Sequence, residues 1–204
     1  MSDPTLNVQY VPMSLTQHDS KVVAELIHQS DPTLFNVMFG QRSIGHLTGL
    51  VERSHNPFSH RYIRVAAIAH QVVGIVTLVP TDRLSEETED YRSVFNFGRQ
   101  LWLTGLKLVV RRILRQDYPP SSLYIGNLVV AEPFRGQGIG RQLLSACITE
   151  AKAQGSSLFI SVDIDNPRAQ KLYESLGFQV AETKTLRLFG TTIGSRSLSL
   201  PAQQ

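Results

Sequence analysis

Three glycines at alternate positions, Gly136, Gly138 and Gly140, lie between Arg135 and Arg141, with Gln137 and Ile139 as the spacers. Without side chains a backbone turns sharply and comes close to a ligand. An apolar recurrence every four residues (Ile139, Leu143, Cys147, Ala151) begins inside the run, so the glycines open a helix. The first amides of a helix have no acceptor within it, and the helix dipole adds partial positive charge at that end. The chemistry this supports is binding of an anion such as a pyrophosphate, with both arginines adding charge-assisted contacts. The plainer reading is a turn that merely joins strand to helix; the third glycine and the flanking arginines argue against it.

Two common phosphate sites do not fit. A dinucleotide fingerprint needs GxGxxG, and counting from Gly136 the sixth position is Arg141. No GxxxxGK[ST] run occurs anywhere in the chain. Only about sixty residues follow the loop, too few for the later half of a doubly wound nucleotide domain.

The run Asn127-Leu128-Val129-Val130-Ala131-Glu132-Pro133-Phe134-Arg135-Gly136-Gln137-Gly138-Ile139-Gly140 resembles the acetyl-CoA motif of the GNAT N-acetyltransferases, [Q/R]-x-x-G-x-[G/A], at Arg135, Gly138 and Gly140. Downstream, Asn166-Pro167-Arg168-Ala169-Gln170-Lys171-Leu172-Tyr173-Glu174-Ser175-Leu176-Gly177-Phe178 resembles the family's second signature, N-x-x-A-x-x-L-Y-x-x-x-G-F. The two motifs keep the family's order and stand about 25 residues apart. The detailed resemblance covers the last third of the chain; the first 120 residues match in general layout.

The resemblance implies an α/β fold: a mixed, mostly antiparallel twisted sheet of about seven strands flanked by helices. It implies acetyl-CoA as cosubstrate, with no metal, and transfer of its acetyl group to a primary amine by direct attack on the thioester. The pantetheine arm would add alongside the strand that carries Leu128, Val129 and Val130, and Arg135 to Arg141 would hold the pyrophosphate. Tyr173 would give a proton to the departing sulfur; otherwise it is a core tyrosine one turn after Ala169. Asn166 caps its helix and would also contact the coenzyme.

Many family members place a glutamate base at the position occupied here by Asn127, and an amide accepts no proton at working pH. A water chain, Asp163, a histidine from the first half, or arrival of the amine already neutral are the alternatives; Glu132 stands too near the phosphate loop. A non-catalytic acyl-CoA-binding module, regulatory or docked to a membrane, is the rival reading that Asn127 leaves open.

The elements that must position these groups follow from pattern. Leu123 to Ala131 is an apolar branched strand ended by Pro133. Gly155 sits where the glycine-loop helix stops. Upstream, Asn7 to Met13 reads as a strand, Thr16 or Asp19 as the cap of a helix with the stripe Val22, Val23, Leu26 and Ile27, and Thr33 to Arg53 as a second helical region. Tyr62 to Ala69 and Val72 to Val79 pair through a tight turn at His70-Gln71. Gln179 to Leu188 and Ile193 to Leu200 complete the sheet, with Gly190 in the turn.

Residues 81–120 form a helical insert between the third and fourth strands, where the family has a short loop. Asp82 to Arg92 is acidic and reads as a solvated helix start. Gly98 to Asp117 carries Lys107, Arg111 and Arg115 on one side and Leu103, Leu106, Val110 and Ile113 on the other, a basic amphipathic helix. It packs on the sheet, covers the acceptor site as a lid, or meets a membrane surface through Trp102 and its arginines.

A chain of 204 residues is the size of one domain, here residues 1–204, with a core of its own. Apolar content of 42% against 18% charged residues is ordinary for a globular protein. A net charge of +3 makes no case for nucleic acid. The lone cysteine, Cys147, falls on a helix's apolar face and excludes a disulfide framework. The N-terminus lacks the basic start and apolar run of a signal peptide, and no stretch reaches transmembrane length. The expectation is a cytoplasmic enzyme, compatible with a homodimer, acting on a small-molecule or peptide amine.

Overall fold

The computed structural model describes residues 7–84, 89–95, 98, 100, 102–104, 118–188 and 191–202. One sheet of seven strands runs through them in the order β1-β2-β3-β4-β5-β7-β6. The strands are β1 (Gln9–Pro12), β2 (Ile63–Ile68), β3 (Gln71–Pro80), β4 (Leu123–Val130), β5 (Leu158–Asp163), β6 (Gln179–Leu188) and β7 (Thr191–Leu200). Only the β4–β5 pair is parallel; the other five pairs are antiparallel. This is the mixed sheet the resemblance implied.

The first helix, α1 (Ser20–Ser30), starts at Asp19, whose carboxylate accepts the Lys21 amide hydrogen at 2.7 Å. Asp31 does the same for α2 (Pro32–Phe39), accepting from the Leu34 amide at 2.9 Å, with Pro32 in the first turn. The second helical region is broken rather than continuous. Gly40, at φ 75, ends α2 in a conformation that strains other residues, and α3 (Ser43–Val51) begins afresh.

The hairpin turn also falls one residue earlier than the spacing suggests, at Ala69-His70. Both have positive φ (47 and 71), as a two-residue turn matched to strand twist requires, and Ile68 pairs directly with Gln71.

Two apolar clusters cover the two faces of the sheet. One gathers Val23, Leu26, Ile27, Phe35, Phe39, Leu47 and Leu50 from α1 to α3 over Ile63, Val65, Ile75 and Val129. The other gathers Ile139, Leu143, Leu144, Cys147 and Ala151 from α5 (Ile139–Ala153), with Tyr173 of α6 (Pro167–Glu174), over Val76, Ile125, Leu158, Ile160 and Val162. Arg64 of β2 closes a two-armed ion pair on Glu150 of α5, at 2.9 and 2.6 Å.

The described part of the insert packs on the outer side of α2 and α3. Its short helix α4 (Glu89–Val94) is not simply solvated: Asp90 accepts from the His55 amide at 2.7 Å and from Asn56 Nδ2 at 3.0 Å. Phe95 stacks on Phe39 at 5.0 Å and meets His46 at 4.8 Å, and Leu103 is buried. Half-exposed Trp102 donates from Nε1 to the Val37 carbonyl. The basic stripe Lys107, Arg111 and Arg115 lies outside the described residues.

Candidate active site

Strands β4 and β5 pair only at Leu123–Ile125 with Leu158–Ile160. Beyond Ile125, β4 keeps only β3 as a partner, while β5 runs on with β7 as far as Asp163–Ser195. A wedge opens between Gly126–Val130 and Ser161–Asp163.

The polar groups along the β4 side of the wedge follow from strand geometry. Asn127 donates its amide hydrogen to Thr77 Oγ1 at 3.0 Å, and Ala131 donates to the Val73 carbonyl at 2.8 Å, both toward β3. Strand residues alternate, so Val129 faces β3 as well, and Leu128 and Val130 turn their N–H and C=O into the wedge. Val129 is therefore not at the open edge: it pairs with Ile75 and its side chain is buried. The Val130 carbonyl is already taken by Arg135 Nε at 2.9 Å. That leaves the Leu128 N–H and C=O and the Val130 N–H for a ligand strand.

The glycine loop ends the same edge. Gly136 and Gly138 have φ of 79 and 80, and a Cβ at either would meet nothing within 4 Å, so backbone conformation alone selects glycine there. The first helical bond of α5 runs from the Gln142 amide to the Gly138 carbonyl at 3.1 Å. The amides of Ile139, Gly140 and Arg141 precede it and have no helical acceptor. The loop is exposed from Arg135 to Gly138. Gln137 folds its amide back on the Pro133 carbonyl at 3.4 Å. Arg141 does more than flank the loop. It donates to Ser175 Oγ, and Ser175 donates to the Leu172 carbonyl at 2.7 Å, so the start of α5 is tied to the end of the helix bearing Tyr173.

Asn166 Oδ1 accepts from the Ala169 amide at 3.1 Å and so starts α6. Three residues later in that turn sequence stands Leu172, then Tyr173, which is 7% exposed and packs on Phe178 at 6.3 Å between ring centres. Its hydroxyl has no hydrogen-bond partner among the described residues. Burial, and then the nearby Tyr124 and Asp163, push its pKa up to about 12, so it keeps its proton at neutral pH.

The other face of the wedge belongs to α1. Asn127 donates from Nδ2 to Ser30 Oγ at 2.7 Å, and Ser30 donates in turn to the Ile27 carbonyl at 2.7 Å. The side chain at the usual glutamate position is thus a clamp on the end of α1. Asp31 follows at once. On β5, Leu158, Ile160 and Val162 point into the α5 cluster, so Phe159, Ser161 and Asp163 face the α1 side. Burial, then Asp165, then Asp31 raise the Asp163 pKa above the ordinary carboxylate value. Ser30, Thr77, Asp31 and Ser175 carry no motif, and their part in the site is visible only once the strands are paired.

Among the described residues no three His, Cys, Asp or Glu side chains converge as metal ligands, and no helix is long and apolar enough to cross a membrane. A cavity of about 510 Å³ lies at the far end of α2, among Phe39, Arg42, His46, Phe95 and Trp102. The insert residues that line it among those described are Phe95, Gly98 and Trp102, roughly 12 Å of helix from Asp31.

The open β4 edge, the glycine loop at a helix start and the buried tyrosine on the next helix all lie within the stretch that a family model matches. The model of the acetyltransferase (GNAT) family covers residues 27–178. The chain belongs to the GNAT family. It is an acetyl-CoA-dependent acyltransferase, not the non-catalytic module that Asn127 left open. It is similar to N-alpha-acetyltransferase 30 of Schizosaccharomyces pombe, at 28% identity over 133 residues, 60% of this chain and 81% of that protein. A crystal structure of an acetyltransferase superposes with a TM-score of 0.68 and 26% identity, covering 96% of this chain and all (100%) of the other. A putative acetyltransferase of Salmonella typhimurium, solved with its cofactor acetyl-CoA, shares the fold at a TM-score of 0.61 and 14% identity, covering 97% and 95% of the two chains.

Proposed function

We propose that this GNAT enzyme transfers the acetyl group to a primary amine by direct attack on the thioester, in the wedge between β4 and β5. The observation that carries the reading is the open β4 edge, together with a buried, protonated Tyr173 hydroxyl that has no hydrogen-bond partner among the described residues. The pantetheine arm adds to the edge through Leu128 and Val130, and the pyrophosphate rests on the free amides of Ile139, Gly140 and Arg141. The same strand amides hold the thioester oxygen as charge grows on it. The amine forms the C–N bond, the C–S bond breaks, and Tyr173 meets the departing sulfur. A phenol near 12 is a weaker acid than a thiol at about 8.5. Tyr173 therefore acts by a hydrogen bond that strengthens as the thiolate forms, with net protonation of sulfur completed by the amine's own proton.

Small molecules, lysine side chains and peptide N-termini are all primary amines. The likeness to a protein named an N-alpha-acetyltransferase brings the peptide N-terminus forward. The test is a thermal shift with acetyl-CoA, NAD and ATP, followed by thiol release with each amine class. A ligand at a hundred times its dissociation constant adds about 2.7 kcal/mol. A shift with acetyl-CoA and amine-dependent thiol release are expected; a folded protein that releases no thiol with any amine rejects the reading.

A further inference from the structure

Asn127 cannot take the amine's proton, and its side chain is committed to Ser30. The carboxylate that shares its face of the wedge is Asp163, on the opposite wall. The Asp163 side chain makes no hydrogen bond or ion pair among the described residues. Asp31, one residue beyond Ser30, uses Oδ1 on the Leu34 amide and keeps Oδ2 free. From the other face of the sheet comes the buried Tyr173 hydroxyl, also without a hydrogen-bond partner among the described residues and near enough to Asp163 to feel its charge. The wedge thus has a hydroxyl hydrogen-bond donor on the α5 side and its carboxylates on the α1 side.

We infer that Asp163 and Asp31 receive the acceptor as an ammonium, that Asp163 takes its proton, and that the acceptor is an amine with no carboxylate beside it, such as a peptide N-terminus, and not a free amino acid. This rests on the reading of the site as an amine acetyltransferase.

The charge balance argues for a cation here. Asp31 and Asp165 both oppose ionisation of Asp163, so the three carboxylates crowd one another. No described cation pairs with them. Arg196 on β7 donates to the Ile164 carbonyl and to Gln170 Oε1, at 3.2 and 2.9 Å, and Lys184 on β6 is paired with Glu182 at 3.4 Å. The remaining neighbours, Tyr173 and Tyr124, stay neutral at working pH. An ammonium relieves the mutual repulsion, and a carboxylate one bond further along the acceptor restores it. A carboxylate made a stronger base by its neighbours is also better suited to accept a proton.

The protons balance. The ammonium gives one proton to Asp163, which passes it to solvent. The neutral nitrogen forms the bond to the thioester carbon as the C–S bond breaks. Its second proton ends on the coenzyme A sulfur, with Tyr173 at the sulfur throughout.

The experiment uses the full chain and thiol release, with a set of lysine-free peptide amides differing in their first residue and the corresponding free amino acids. Wild-type protein should show kcat/KM at least about tenfold higher for the best peptide than for its free amino acid. Asp163→Asn should lower kcat on that peptide by about tenfold or more and abolish the acid limb of the pH profile, and Asp163→Glu should restore part of that limb. Asp31→Asn, which keeps a capping oxygen, should raise KM for the peptide and narrow the discrimination. Acetyl-CoA thermal shifts should match wild type in all three, which excludes misfolding. Equal rates on peptides and free amino acids, or wild-type kcat and pH profile in Asp163→Asn, overturn the inference and leave amine acetylation standing. Absence of transfer to any amine overturns both.

Discussion

The Thr77 hydroxyl accepts the Asn127 amide hydrogen at 3.0 Å, standing in for a main-chain carbonyl in the β3–β4 ladder. The register shifts at this point, between Val76 and Leu78, so two consecutive β4 residues, Gly126 and Asn127, lie on the α1 side of the sheet. Past the shift, β4 leaves β5. One buried threonine therefore sits at the root of the wedge.

Gly126→Ala tests this root. A Cβ at Gly126 would collide with Thr77 Oγ1, whose residue is only 2% exposed and has little room to move. The expected cost is about 1–3 kcal/mol of stability, with weakened acetyl-CoA binding. In the double variant with Thr77→Ala the loss should be smaller than the sum of the two single losses, because removing the hydroxyl makes space for the added methyl. Melting curves and a titration read both quantities.

Tyr173→Phe keeps the packing on Phe178 and removes the hydroxyl. Turnover should fall about tenfold or more while acetyl-CoA affinity stays near wild type. Because the group ionises near 12, wild-type rates should show no alkaline loss from Tyr173 up to about pH 10. An unchanged kcat would assign the tyrosine to the core alone.

Asn127→Ala should act on stability rather than on proton transfer. It removes the bond to Ser30 Oγ, leaving Ser30 on the Ile27 carbonyl, and should cost about 1 kcal/mol in chemical denaturation. The shape of the pH–rate profile should not change. Loss of a titrating limb in this variant would mean that Asn127 organises the base after all.

Cys147 serves as a folding probe. The thiol is wholly buried (0% exposed) and burial raises its pKa from 9.0 to about 12, so thiol reagents should leave the native protein untouched and label it on unfolding. The sign for stability follows. The folded state holds the proton more tightly than the unfolded state, so this contribution is fully present below pH 9 and is lost as pH rises toward 12. Cys147→Ala should flatten that part of the stability curve.

Local chemistry made much of the enzyme legible before any strand was paired. The alternating glycines need positive φ or close approach, and Gly136 and Gly138 have it. Asn166, Pro167 and Tyr173 are placed by cap, first turn and helical spacing, which are properties of neighbouring residues. The turn falls at Ala69-His70 because φ in a two-residue turn follows the twist of the flanking strands, and the break at Gly40 comes from a positive φ that helical periodicity does not show. What the sequence could not carry is anything set by pairing across long separations. Asn127 clamps Ser30 over 97 positions, Thr77 and Asn127 meet over 50, and Arg141 finds Ser175 over 34. The sequence by itself determined the family and singled out the glycine loop and Tyr173, since each is written in residues a few positions apart. Only the tertiary structure decided where the sheet splits and which carboxylates face the gap. Strand register and face are collective outcomes of packing two cores on one sheet, and no single stretch of chain encodes them.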